Sequence, residues 1–309
     1  MKFIYKYCLV GTVFMFSNFI KGEANVAAQV FSDPTLTLSK SCVHPTHSDF
    51  TTFVSGDAPF ADTASINVTT GSLLGFSDPG VVGRCIQRCS GDGREGLSHV
   101  GIAVVAYPSE IMRLIHASEQ SGGLNTRRAR YTTAQRSVMT NRYPYLSCLS
   151  EQDDDVMFWK EKLGVFCLES TGTAQQVKHG LWPRVQISPL EDAVSEYVGD
   201  VCVRTLSDPI PLEGLQHLIY RELGVSYEKR LLQLLKSRKD KNAKDDTSSW
   251  FCSELVAYIY REYGVISDDV VVNNVIPKEL STASRRDFLR GQASNELWIK
   301  FYEKSGCCA

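Results

Sequence analysis

Short apolar runs recur between about residue 72 and residue 206, separated by glycine, proline and polar turn residues. Runs of about four to eight residues that are bounded in this way are typical of β-strands. We therefore expect one antiparallel sheet of about five or six strands. The runs that predict these strands are 72–76, 97–105, 165–169, 185–187 and 201–206, and 113–117 is a candidate for one more.

The last third of the chain has helical periodicity instead. Leu215, Leu218, Ile219 and Leu223 share one helical face, and Gly224 ends that helix. An amphipathic helix of this kind buries its apolar face against another element. The combination of separate strands and helices predicts an α+β fold.

A further amphipathic helix begins near residue 250, and Ser248 or Ser249 can cap its first turn. This helix ends at Gly264. We expect it to pack on one face of the sheet. The residues of its apolar stripe are Phe251, Leu255, Val256, Ile259 and Tyr263.

The composition along the chain divides it into four parts. Residues 66–290 form the packed domain, with an insertion at 106–164 whose segment 125–150 is polar and basic. Residues 29–65 are rich in Ser, Thr, Pro and Asp and predict an irregular leader. Residues 1–28 and the C-terminal tail 291–309 complete the chain.

The N-terminal sequence predicts a targeting signal. Lys2 and Lys6 precede an apolar stretch at 7–20, which is short for a membrane span and suits a signal peptide. We expect cleavage before about residue 30 and entry to the secretory pathway or the extracellular space. The alternative is membrane association, through this stretch as an anchor or through lipid on the cysteines of the C-terminal sequence Gly306-Cys307-Cys308-Ala309. The strict prenylation pattern fails there, because it requires cysteine at position 306.

Net charge and cysteine count exclude few classes of function. The 33 basic and 35 acidic residues give a net charge of −2, so no overall positive field favours nucleic acid as a partner. The ten cysteines do not by themselves decide the redox compartment.

Cys252 and His99 are the candidate catalytic pair. Cys252 lies in the first turn of the last amphipathic helix, where the helix dipole favours the thiolate. His99 opens an apolar strand and can take the thiol proton. Each residue also has a structural interpretation. A cysteine in an amphipathic helix is commonly a core residue, and a histidine at a strand end can simply be hydrogen-bonded.

Six segments together resemble the permuted papain-like amidases. These are circularly permuted NlpC/P60 proteins of the YiiX and YaeF type, distantly related to lecithin:retinol acyltransferase. The resemblance covers roughly residues 68–280, apart from the insertion. The segments that carry it are 71–74, 98–102, 168–171, 203–206, 224–228 and 251–257.

The resemblance implies a papain-like fold and assigns residue roles. Cys252 would be the nucleophile, His99 the base and Glu169 the polar residue that orients the base. His116 competes with Glu169 for the third role, because the acyltransferase relatives use a second histidine. Tyr227 would be an accessory residue facing the cleft or the oxyanion, although an aromatic side chain at a helix start also packs.

These roles predict a cysteine hydrolase that cleaves an amide or ester through a thioacyl enzyme. No metal and no organic cofactor is required. The substrate would be a small molecule, a lipid or a peptide. Two alternatives stay open. One is acyl transfer between lipids with the same nucleophile, and the other is a non-catalytic binding or scaffold protein with this fold.

Overall fold

A computed structural model describes a large part of the chain. The described residues are 48–50, 66–78, 80, 86, 96–121, 126–148, 162–171, 184–228, 237, 242 and 245–300. The predicted signal peptide or anchor at 1–28 and the cysteines at 307–308 lie outside them.

The centre of the fold is an eight-stranded sheet, and short β1 (Ser48–Phe50) and β2 (Ile66–Val68) pair separately. The strand order is β10-β7-β3-β4-β5-β6-β8-β9, with every pair antiparallel except β8 and β9. The strands are β3 (Leu73–Ser77), β4 (His99–Ala106), β5 (Gly164–Thr171), β6 (Arg184–Pro189), β7 (Asp200–Arg204), β8 (Ser226–Tyr227), β9 (Ser249–Trp250) and β10 (Leu297–Lys300).

Five α-helices occur in the described residues, together with three 3₁₀ turns. The α-helices are α1 (Pro108–Ser121), α2 (Thr126–Arg142), α3 (Leu190–Glu196), α4 (Leu212–Glu222) and α5 (Cys252–Glu262). The 3₁₀ turns are Pro144–Cys148, Val272–Asn274 and Pro277–Leu280.

Both faces of the central strands are buried, since alternate residues of β4 belong to two different apolar clusters. Ile102 and Val104 pack in the larger cluster, and Ala103 and Val105 pack in the smaller one. The larger cluster also contains Leu255, Val256 and Ile259 of α5, and this helix contacts β4 and β5. The predicted α+β class and the packing of this helix on the sheet are therefore confirmed.

Several predicted elements differ from the observed ones. The sheet has eight strands and not five or six, because β8, β9 and β10 are short segments at its edges. The candidate strand at 113–117 lies within α1, whose Ile111 and Ile115 are fully buried in the core. The segment predicted as an insertion thus contributes to the main apolar cluster.

The two ends of the domain also differ from the predicted boundaries. Residues 297–300 were assigned to the C-terminal tail, yet they form β10 and pair with β7. Part of the predicted irregular leader forms β1. Arg204 on β7 lies at 1% exposure and forms an ion pair with Asp287, with Arg204 Nη1 2.9 Å from Asp287 Oδ1. The C-terminal segment is therefore held to the sheet by main-chain pairing and by a buried charge pair.

No α-helix in the described part of the chain is both long enough and apolar enough to cross a membrane.

Candidate active site

The pairing of β4 with β5 brings His99 and Glu169 together. Glu169 lies directly opposite Gly101, which is two residues along β4 from His99 and therefore on the same face. Such diagonal neighbours are within reach of long side chains. His99 Nε2 lies 2.5 Å from Glu169 Oε2, and the side chains are 15% and 7% exposed. The sequence-based expectation that these two strands are neighbours is confirmed.

Gly101 lies where β5 leaves little room for a side chain, and the atom nearest to a Cβ built there would be Cys167 Sγ at 2.9 Å. A Cβ atom at this position would lie 3.0 Å from the carbonyl oxygen of Leu168 and 3.3 Å from Glu169 Cβ. Both contacts are tighter than side chains normally make. A larger residue would therefore displace the strand that carries Glu169.

Cys252 is the first residue of α5, and its thiol is free and 5% exposed. It lies close enough to His99 for its charge and its side chain to raise the pKa of the imidazole. Because Nε2 of His99 is bonded to Glu169, Nδ1 is the ring nitrogen left for the thiol. The first-turn N–H groups of a helix have no intrahelical acceptor and can stabilise negative charge beside Cys252.

The predicted serine caps of this helix are wrong. Phe251 occupies the N-cap position, and its N–H donates to Glu254 Oε2 at 2.9 Å. The Ser249 hydroxyl donates instead to Glu228, and that of Ser248 donates to Asp246. β9 extends up to Trp250, so the two serines lie too early in the chain to cap the helix.

The charge of the imidazole depends on its two neighbours. Burial by itself lowers the pKa of His99, but the negative charges and hydrogen bonds of Cys252 and Glu169 outweigh it and raise this pKa to about 10. The arrangement therefore favours a cationic imidazole beside Glu169 and Cys252. A neighbouring imidazolium is one of the groups that activate a cysteine as a nucleophile.

Aromatic side chains surround the pair. The Phe76 ring centroid lies 5.3 Å from that of His99 and 4.8 Å from that of Tyr197. Tyr227 contacts Phe251 edge to face, with centroids 5.5 Å apart. Burial, together with the charges of Cys252 and nearby carboxylates, raises the pKa of Tyr227. Its phenol is therefore neutral and able to donate a hydrogen bond.

His116, the competing candidate for the third role, lies elsewhere. It is half-buried on α1, and its Nδ1 accepts a hydrogen bond from Arg136 Nη1 on α2 at 3.4 Å. The contacts of His99 described above are with Cys252, Glu169 and Phe76. The structure thus joins His99 to Glu169 and places Cys252 close enough to influence the pKa values of His99 and Tyr227. His116 bonds to Arg136 instead.

Gln186 is a neighbour of Glu169 that the sequence did not indicate. It lies on β6 directly opposite Glu169, and its Nε2 donates to Glu169 Oε1 at 2.8 Å. A polar residue between Val185 and Ile187 has the alternation of a strand with one solvated face. Its burial at 4% exposure, opposite Glu169 on β5, appears only in the folded structure.

Glu254 is buried at 1% exposure, and its Oε1 has no hydrogen-bond partner among the described residues. Burial raises the pKa of Glu254 to about 7, although the Phe251 N–H and the Asn273 side chain act in the opposite direction. Between the ordinary carboxyl pKa and about 7, the folded protein binds more protons than the unfolded chain. The contribution of Glu254 to stability therefore falls as the pH rises through this window.

We expect Glu254→Gln to raise the free energy of unfolding at pH 8, by at most about 3 kcal/mol, and to leave it nearly unchanged at about pH 4. Glutamine keeps an oxygen acceptor for the Phe251 N–H and removes the buried charge. Urea denaturation at a series of pH values measures the difference. Glu222→Gln is the matched control, because Glu222 is a buried carboxylate with donors from Trp250 and Arg221. Equal effects of the two substitutions at pH 8 would contradict the expectation.

The described residues contain no group of three or more His, Cys, Asp and Glu side chains that could hold a metal ion. Comparison with known proteins gives no match to a family model, to a curated protein or to a solved structure.

Proposed function

We propose that this protein is a cysteine hydrolase that cleaves an amide or ester bond through a thioacyl enzyme. The observation that carries the proposal is the contact of His99 with Glu169 at 2.5 Å, together with Cys252 at the start of α5, close enough to raise the pKa of the imidazole. A nucleophile, a base and a group that orients the base define this chemistry by their geometry, whatever their order in the sequence. The resemblance to permuted papain-like amidases supports the same assignment.

In the first half-reaction the Cys252 thiolate attacks the carbonyl carbon of the substrate. The carbonyl oxygen becomes an oxyanion, which the main-chain N–H of Cys252 at the start of α5 can stabilise. The Tyr227 phenol is a further candidate donor. The C–N or C–O bond then breaks, and the His99 imidazolium gives its proton to the departing amine or alkoxide. The products are a thioester on Cys252 and a neutral imidazole.

In the second half-reaction neutral His99 removes a proton from water as the water oxygen attacks the thioester carbonyl. The C–S bond breaks, the acid product leaves, and the thiolate and imidazolium are regenerated. Glu169 stays ionised throughout and stabilises the imidazolium. An alcohol or amine in place of water would give acyl transfer, so the identity of the acceptor decides between hydrolase and acyltransferase.

The test is to trap the acyl enzyme. Para-nitrophenyl esters of several acyl lengths are mixed with the protein, the reaction is stopped with acid, and peptide mass spectrometry locates the acyl group. We expect a hydroxylamine-sensitive adduct on Cys252 that is missing from Cys252→Ala. Cys167 and Cys202, both fully buried, are internal controls and should stay unmodified.

Addition of a lysolipid or a primary amine as acceptor then distinguishes hydrolysis from acyl transfer. Free acid as the main product supports hydrolysis, whereas an acylated acceptor supports transfer. Acylation of the wild type that is no greater at Cys252 than at other sites would contradict both and favour a non-catalytic binding protein.

A further inference from the structure

Gln186 and His99 hold the two oxygens of Glu169 from opposite sides. Gln186 donates to Oε1 at 2.8 Å, while His99 contacts Oε2 at 2.5 Å. Gln186 and Glu169 are cross-strand partners at 4% and 6% exposure. With both oxygens engaged, the carboxylate cannot rotate without breaking a buried hydrogen bond.

The orientation of the Gln186 amide bears on the charge of Glu169. Its Nε2 faces the carboxylate, and its Oε1 has no hydrogen-bond partner among the described residues. An N–H donor can serve an ionised carboxylate. A buried acceptor without a partner costs free energy, which the hydrogen bond to the charged carboxylate can offset.

Gln135 is a second buried glutamine in this protein, and its hydrogen bonds are those of a structural residue. It lies on α2 at 1% exposure and bonds the main chain of β6 through both of its polar atoms. Its Nε2 donates to the Ile187 carbonyl at 2.9 Å, and its Oε1 accepts from the Ile187 N–H at 3.3 Å. The hydrogen bond of Gln186, in contrast, goes to the side chain that faces His99.

We infer that Gln186 is a positioning residue that holds Glu169 ionised and directed at His99, and so sustains the thiolate and imidazolium of the Cys252 pair. The inference rests on the proposed function. Gln186 does not touch the reacting atoms and acts through Glu169 and His99 in turn. Groups that orient a ligand or a catalytic side chain in this way commonly matter by about tenfold or more, as they do around metal ligands.

The experiment compares Gln186→Met with Gln135→Met in the full-length protein. Both replace a buried glutamine by an apolar side chain of similar length on or against β6. The readout is the rate of Cys252 alkylation as a function of pH, together with ester hydrolysis. We expect Gln186→Met to shift the thiol titration to higher pH and to slow ester hydrolysis by roughly tenfold. Gln135→Met should lower the melting temperature and leave the titration unchanged.

Gln186→Glu provides a second test that does not depend on the fold tolerating methionine. Two adjacent carboxylates repel each other when both are ionised, but they can share one proton. The alkylation rate of this variant relative to wild type should therefore rise as the pH is lowered. A titration of Gln186→Met like that of wild type, or a constant ratio for Gln186→Glu, would overturn the inference while the proposed function stands. An ordinary thiol titration of Cys252 in the wild type would instead remove the proposed function itself.

Discussion

The rate at which Cys252 reacts with iodoacetamide should change little between about pH 8 and pH 6, whereas an ordinary thiol loses nearly tenfold per pH unit below its pKa of about 8.5. The reason is the neighbourhood of the thiol. His99, whose pKa is raised to about 10, supplies a positive charge, and the start of α5 supplies free N–H groups. Both stabilise the thiolate relative to the thiol.

Removal of the imidazole in His99→Ala should restore the pH dependence of an ordinary thiol. Ester hydrolysis should fall on the order of 100-fold or more, because the general base is lost. Peptide mass spectrometry at each pH assigns the label to individual cysteines, and Cys252→Ala gives the background. Burial raises the pKa of Cys202 to about 12 and also raises that of Cys167, so these thiols should label slowly.

The pH dependence of Cys252 alkylation is a better test of thiol activation than the absolute alkylation rate, because a thiolate of lower pKa is also a weaker nucleophile. Equal slopes in wild type and His99→Ala would show that the imidazole does not activate the thiol. In that case the contact of His99 with Glu169 would be structural, and the binding or scaffold alternative would gain support.

The second large effect concerns the residue that orients the base. We expect Glu169→Gln to slow ester hydrolysis by at least about tenfold and to shift the Cys252 titration to higher pH, by analogy with neutralised carboxylates in catalytic triads. Glutamine is close in size to glutamate but cannot stabilise the imidazolium by charge. Because Glu169 Oε2 lies 2.5 Å from His99 Nε2, the substitution removes a negative charge that is in direct contact with the imidazole.

His116→Gln is the matched comparison, because it changes the competing candidate for the same role. Its described hydrogen bond is to Arg136 on α2, so we expect little change in rate or in the titration. Rates measured side by side for wild type and both variants provide the check. The reverse order of losses would assign the third role to His116 and would require α1 to approach His99 in the active protein.

The local pattern of apolar residues was sufficient to predict the strand and the helix that carry His99 and Cys252. The apolar run at 97–105 predicted the strand that begins at His99, and the apolar stripe from Phe251 to Tyr263 predicted α5 with Cys252 in its first turn. A short apolar run bounded by turn residues is typical of a strand buried on both faces, and burial that repeats about every 3.6 residues indicates a helix. The proximity of β4 to the strand with Glu169 was also predicted correctly.

Local pattern failed where the element is short or its partner is distant in sequence. β8 and β9 have two residues each and exist only because they pair with each other and with β6. β10 was assigned to the tail because its pairing with β7 spans about 100 residues. The apolar residues of α1 read equally well as a strand, since a short apolar run has no distinctive period.

The sequence by itself thus determined which side chains are candidates for the proposed chemistry, while the tertiary structure decided which of them meet. Register in the sheet sets Glu169 opposite Gly101 and Gln186 opposite Glu169, across about 70 and 17 residues of chain. A shift by one residue would turn each side chain to the other face. Such register comes from the packing of both faces at once, and no local window of the sequence contains it.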